Sequence, residues 1–368
     1  MAKAKIVVSG INMVEGGIFT ILDTFLQRLN EINCDDDFEI IALVHKKSIF
    51  NYPNISFLEF PKSKRFWFLR FYYEYIYFKK LSKQLRPDIW LSLHDMTPNV
   101  VCKKQFVYCH NPNMFYKSTL KDWFFDYKMG IFGWFYKYLY QININKNTAV
   151  FVQQHWIKSS FEKAFGIDNV VVTQPIFDFK DFDVANDLDF DNSKIHFFYP
   201  SFPRTFKNFE LIFEAMMLLE KHVLHKICVH VTLDKSSENR YLKYLVNKYK
   251  LIEQVNFTGI LSKQQMISFY KSVDCLIFPS KLETWGLPIS EAKFFEKPML
   301  LANLPYAKEA VGDYHDVSFF DVEKPKQLAT LMTDFVNQNI VFDRNIAGIG
   351  DNKELVGWHE LFDFMLTK

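Results

Sequence analysis

At 368 residues, 49% hydrophobic and 23% charged, the chain is too long for one small domain and too apolar for disorder, so two domains with sizeable cores are expected. A net charge of +2 argues against a general nucleic-acid coat protein, and five scattered cysteines without a C-x-x-C pair argue against a disulfide framework or a zinc site. The opening MAKAKIVVSG does not read as a signal peptide, and no uncharged apolar run reaches the ~18 residues of a membrane span.

Short β-branched runs alternate with amphipathic stretches. Lys5–Ser9 reads as a buried strand, and Ile18–Leu29, apolar at 18, 21, 22, 25, 26 and 29, as a helix. Phe38–Val44, Ile89–Leu93, Gln105–Cys109 and Thr148–Val152 read as further strands, and Trp156–Phe165 as a helix. The pattern then restarts with strand Lys194–Tyr199 and helix Asn208–Leu219. Strands follow at Ile227–Thr232, Val255–Phe257, Cys275–Phe278 and Met299–Ala302, with a helix opening around Glu291. Such alternation predicts α/β domains with parallel sheets covered on both faces. The expected boundaries are a first domain over 1–177, an acidic linker over 178–192 and a second domain over 193–350. A closing amphipathic helix over 351–368 could pack on either domain, the first being its expected partner. Ligands of open α/β sheets bind beyond the carboxyl ends of the strands.

The segment Phe278–Pro298 (FPSKLETWGLPISEAKFFEKP) runs from a strand end through a loop into a helix. Pro288 suits the first helical position, where its missing N–H would have no partner anyway. The amides of Gly286, Leu287 and Ile289 then sit at a helix N-terminus, a natural place for an anion. Glu283 precedes this nest and Glu291 is placed in the first helical turn. Ionised carboxylates only accept hydrogen bonds, which suits the hydroxyls of a sugar or ribose and repels phosphate.

Glu283 and Glu291, eight positions apart around a G-L-P turn, resemble the E-x(7)-E motif of family-4 (group 1) retaining glycosyltransferases of the GT-B fold. The resemblance implies two Rossmann-like domains facing across a cleft. It implies that Glu283 contacts the donor sugar, that Glu291 holds the ribose hydroxyls, and that Gly286 and Leu287 meet sugar and diphosphate through their backbone. Tyr199–Asn208 (YPSFPRTFKN) resembles the segment in which an Arg and a Lys clasp the donor diphosphate, implying Arg204 and Lys207. Gly16-Gly17, after the first strand, resembles the glycine turn at the donor phosphates, and His110 the histidine near the reacting centre. His94-Asp95 is a second, less informative spot. Thr284-Trp285 departs from the small residue usual after the first glutamate and narrows the sugar pocket. The implied reaction is metal-independent transfer of a sugar, with retained configuration, from a nucleotide diphosphate to a sugar or lipid-linked sugar acceptor. No cofactor is implied beyond the nucleotide sugar itself. Cys109 beside His110 is not read as a catalytic dyad, because adjacent strand residues face opposite sides.

Residues 60–147 carry 15 Lys+Arg against 5 Asp+Glu, together with 25 aromatics. Basic and aromatic side chains together suit an anionic membrane surface. The alternative is a core of aromatics with the charges on a solvated face. The resulting expectation is a cytoplasmic enzyme, peripheral on the inner membrane face and without nucleic acid, acting in surface polysaccharide or glycolipid assembly. The competing expectations are a sugar-nucleotide-binding or scaffold protein with a degenerate site, and a sugar-nucleotide epimerase. A nicotinamide dehydrogenase is disfavoured because SGINMVEGG replaces G-x-G-x-x-G.

Overall fold

The computed structural model describes residues 3–174, 187–249, 253–343 and 354–368. The chain divides into two compact units. One comprises Met1–Phe115, Gly133–Ile176 and Lys353–Lys368, and the other Tyr116–Phe132 and Phe177–Asn352. The segment Tyr116–Phe132, expected in the first domain, is thus part of the second unit. The expected linker lies outside the described residues as far as 186.

The first unit carries strands β1 (Ala4–Ser9), β2 (Phe38–Val44), β3 (Ser56–Glu59), β4 (Ile89–Ser92), β5 (Lys104–Tyr108), β6 (Ala149–Val152) and β7 (Val170–Gln174). The second carries β8 (Ile195–Tyr199), β9 (Ile227–Val231), β10 (Val255–Phe257), β11 (Cys275–Phe278), β12 (Met299–Ala302) and β13 (Val317–Phe320). The last strand, β14 (Leu355–Val356), returns to the first unit. All the recorded strand pairs are parallel. A parallel strand is covered on both faces, and this is why these segments read as unbroken apolar runs rather than alternating ones.

The first sheet has the order β14-β7-β6-β5-β4-β1-β2-β3 and the second β10-β9-β8-β11-β12-β13. In each, the chain winds outward one way and then restarts beside its first strand. The direction of winding therefore reverses between β1 and β4, and again between β8 and β11. A crevice opens at such a reversal, outside the carboxyl ends of the strands, and the candidate site residues sit there. After β14 the terminal helix Gly357–Thr367 covers the first sheet. Trp358 meets Phe25 edge-on at 5.3 Å and donates from Nε1 to Thr24 Oγ1 at 3.1 Å.

The basic-aromatic stretch divides between core and surface. Helix Trp67–Tyr72 continues through a π-helical turn, Tyr73–Tyr77, into helix Phe78–Leu85. Phe78 is fully buried between Phe60 and Trp90, 5.5 Å from each ring. Phe66, Phe68 and Ile76 are instead 59%, 85% and 62% exposed. Phe78→Ala should cost about 3–5 kcal/mol in urea unfolding. A loss below about 1 kcal/mol would contradict its place in the core.

Candidate functional site

In the second unit, the loops that leave β8 and β11 are neighbours because these strands pair, Phe198 opposite Leu276. The Lys281 amide donates to the Phe206 carbonyl at 2.8 Å, and Tyr199 donates its hydroxyl to the Lys207 carbonyl at 2.7 Å. Asn208, left-handed at φ 56°, ends the first loop and donates from Nδ2 to the Val322 carbonyl at 3.0 Å. This bracing brings Lys207 Nζ to 2.5 Å from Glu283 Oε1, both side chains being largely buried. The ammonium also lies over the Phe206 and Phe278 rings. Two residues chosen separately from the sequence are thus one ion pair at the β8/β11 reversal.

The other residues of this end are placed differently. Arg204 pairs with Asp126 rather than with Glu283, and its side chain is 55% exposed. The following helix is Leu287–Phe294, so Pro288 is its second residue. Glu291 is its fifth, which corrects the expectation of a first-turn carboxylate. Burial raises the Glu291 pKa, and the adjacent Tyr270 hydroxyl lowers it. Gly286 caps the helix with φ +84°, where a Cβ would stand 3.1 Å from Ile289 Cδ1. The Ile289 amide donates to the Gly286 carbonyl at 2.9 Å, so it is committed to the turn and is withdrawn from the expected anion nest. Trp285 turns its indole to Ser290, Nε1 donating to Oγ at 2.8 Å. Among the described residues neither Glu283 nor Glu291 belongs to a cluster of metal-ligating side chains.

In the first unit, a cavity of about 500 Å³ opens at the β1/β4 reversal and is lined in part by Asn12, Trp67, Arg70, His94, Asp95 and His110. Gly16 and Gly17 open the helix Gly16–Ile32 rather than form a turn ahead of it, and a Cβ on Gly17 would meet nothing within 4 Å. His110 is buried, and neither ring nitrogen has a partner at hydrogen-bonding geometry. Burial lowers its pKa while Asp95 and the Leu93 carbonyl oppose this, so the ring is neutral at neutral pH. Its ring stacks on Tyr108 at 4.3 Å, and Cys109 points the other way with its thiol kept protonated by burial.

Asp95 is the residue the sequence undervalued. Left-handed at φ 73°, it accepts at Oδ1 from the amides of His110 (2.6 Å) and Asn111 (3.1 Å) and from the Tyr140 hydroxyl (3.0 Å). It therefore fixes the loop that presents His110. The Asp-at-positive-φ preference was the one available signal.

A second group was not legible. Glu74, in the π turn, is fully buried, with Oε1 3.3 Å from His94 Nε2. Single π turns inside helices often mark functional positions. Arg70 faces His94 Nδ1 at 3.3 Å, and Ser9 Oγ lies 3.0 Å from His94 Nε2. Arginine only donates, so Nδ1 accepts and Nε2 carries the proton. Ser9 and Glu74 meet the same ring nitrogen, so Ser9, His94 and Glu74 do not form a nucleophilic triad. Burial pushes Glu74 from 4.5 up to about 8, against the pull of Arg70. The folded chain then holds a proton that the unfolded chain releases, so stability is lost as pH rises from 4.5 through about 8. Glu74→Gln cannot ionise and should lose less thermal stability than the parent between about pH 6 and about pH 9. An equal loss in both proteins would contradict this assignment.

Residues 180–347 match the model of "Glycosyl transferases group 1". No curated protein matches the sequence. Among solved structures the chain resembles sucrose-phosphate synthase of Thermosynechococcus elongatus, at 12% identity and TM-score 0.68, covering 92% of this chain and 90% of that one. It also resembles the lipopolysaccharide outer core galactosyltransferase WaaB, at 11% identity and TM-score 0.65, covering 99% of each chain. A third likeness is Anabaena HepE in complex with UDP-glucose, at 14% identity and TM-score 0.59, covering 91% of this chain and 90% of that one. At these identities the likeness is one of fold, the GT-B fold expected from the sequence. Over residues 180–347 the chain is thus similar in sequence to the group 1 glycosyl transferases, and over nearly its whole length it shares their fold.

Proposed function

We propose that this protein is a retaining glycosyltransferase that takes a sugar from a nucleoside diphosphate, without a metal, and passes it to a hydroxyl of a sugar or lipid-linked sugar. The observation that carries this reading is the Lys207–Glu283 pair at the β8/β11 reversal. Before donor binds, each charge neutralises the other. A diphosphate then takes the ammonium as a point-charge partner, and sugar hydroxyls take the carboxylate. Arg204 supplies a second cation to the diphosphate by leaving Asp126. Glu291 accepts from the ribose hydroxyls, and the Gly286 and Leu287 amides face sugar and phosphate at the helix N-terminus. A uridine-type diphosphate sugar is the proposed class of donor, the class bound in the HepE complex.

The acceptor oxygen attacks the anomeric carbon on the face that the leaving group departs from. The carbon–oxygen bond to the diphosphate breaks, and the acceptor proton passes to the departing phosphate oxygen. Configuration is retained, and no side-chain nucleophile is needed. Catalysis is then positioning plus stabilisation of negative charge on the diphosphate by Lys207, Arg204 and the helix amides. In the first unit, the neutral His110 offers a ring nitrogen to a sugar hydroxyl, with Asp95 fixing its backbone.

The first unit also carries exposed Arg65, Phe66, Phe68, Ile76, Lys79 and Lys80 on one continuous stretch of chain. Aromatic bodies with cationic neighbours suit an anionic bilayer surface, and no described helix is long and apolar enough to cross a membrane. We place the enzyme on the cytoplasmic membrane face, acting in surface polysaccharide or glycolipid assembly.

Glu283→Gln should lower turnover by about 100-fold or more while nucleoside diphosphate still binds, since one lost transition-state contact is worth about 3 kcal/mol. Turnover within a few fold of the parent would remove Glu283 from the sugar site. Replacing Arg65, Lys79 and Lys80 together by Glu should release the protein from vesicles containing phosphatidylglycerol. Equal sedimentation of parent and variant with those vesicles would contradict the membrane reading.

A further inference from the structure

The second unit carries a group of side chains that the transfer reaction does not use. His196 on β8 lies opposite Cys228 on β9 in the parallel register, and His230 is two residues beyond Cys228. Side chains two apart on a strand share a face. All three therefore converge on one face of the sheet, near the start of β8. The carboxyl-end site lies at the other end of that strand. One ring nitrogen of each histidine and Cys228 Sγ lie within 4.8 Å of one another. Both imidazoles are buried, and Cys228 is partly open to solvent.

The far sides of both rings are already held. His196 Nε2 faces the Asp191 carbonyl at 3.1 Å, and His230 Nδ1 faces the Asn256 side-chain amide at 2.9 Å. Phe190 stacks on both rings at 4.6 Å. Metal-ligating histidines characteristically donate their other ring N–H to a carbonyl or a side-chain oxygen, as His196 does to Asp191, whereas His230 Nδ1 here accepts from Asn256 Nδ2. The remaining nitrogens, His196 Nδ1 and His230 Nε2, face each other at 2.9 Å and share one proton. Two nitrogens on a tetrahedral zinc at about 2.0–2.1 Å stand about 3.3 Å apart, so the pair need open by only a few tenths of an ångström.

We propose that His196, Cys228 and His230 bind one zinc-class divalent cation through Nδ1, Sγ and Nε2, with water in the fourth position. Two imidazoles and a thiolate are the borderline-soft donor set that selects such an ion over magnesium or calcium. On binding, the Cys228 thiol gives up its proton to solvent. The His230 proton moves to Nδ1, and the Asn256 amide turns its oxygen to accept it. The cation ties β8 to β9 at the end of the sheet remote from Lys207 and Glu283. It is structural and separate from the metal-free transfer proposed above, so neither proposal rests on the other. The sequence does not reveal it, because the ligands come from two strands and no short spacing along the chain brings them together.

The test is titration of the full-length, chelator-dialysed protein with Co²⁺, read by absorbance. One equivalent should produce a thiolate-to-cobalt charge-transfer band, which Zn²⁺ then removes, and Zn²⁺ should raise the thermal midpoint. Cys228→Ser should lose the band and bind at least tenfold more weakly, while Cys34→Ser, at the exposed cysteine, should keep both. His230→Gln provides a second ligand deletion should Cys228→Ser not fold. Absence of a band in the parent, or a band that survives Cys228→Ser, would overturn the proposal.

Discussion

The candidate donor site depends on one ion pair. Lys207 and Glu283 are 76 residues apart in the chain, and only the pairing of β8 with β11 makes them neighbours. Taking both charges out of bulk water is costly unless they meet, and removing one partner leaves the other uncompensated. The loops are accordingly tied down by the Tyr199 hydroxyl, the Lys281 amide and the Asn208 side chain, each bonded to backbone rather than to a mobile surface group. Such a pair is a ground state that a ligand with an anionic half and a hydroxylated half relieves at both ends. A nucleoside diphosphate sugar is a ligand of that kind.

The first unit is organised on a different principle. Its carboxyl-end cavity is lined by His94 and His110, whose pKa values burial pushes down, and against His94 lies the buried Glu74, whose pKa burial pushes up. A neutral imidazole can accept a hydrogen bond at one nitrogen and donate at the other, which is what recognition of uncharged sugar hydroxyls calls for. Asp95 holds the His110 loop through backbone amides and the Tyr140 hydroxyl.

What was legible in the sequence follows from what each signal depends on. Strands buried on both faces appear as short apolar runs, so Phe38–Val44, Val255–Phe257, Cys275–Phe278 and Met299–Ala302 lie where the sequence placed them. The helix after Glu283 begins earlier than its apolar pattern suggests, because Gly286 at positive φ starts it at Leu287. Within Arg65–Lys80, aromatics on every side and a π turn at Tyr73–Tyr77 erase any single period. Exposed and core residues are therefore interleaved there. Glu283 and Lys207 were legible as residues, but not as a pair. Glu74, Asp95 and the His196–His230 contact were not legible, because their chemistry is created by burial and by pairing of distant strands.

The most direct test of the central claim is binding of UDP, GDP, ADP and CMP, with their sugar nucleotides, to the parent and to Lys207→Ala, read as thermal stabilisation without added metal. Ligand that binds only the folded state stabilises it by mass action, so the acceptor need not be known. The account predicts a selective shift with one nucleoside diphosphate, weakened by about 10-fold or more in Lys207→Ala, the scale of one lost charge-assisted contact. No shift with any nucleotide, or one of equal size in Lys207→Ala, would contradict it.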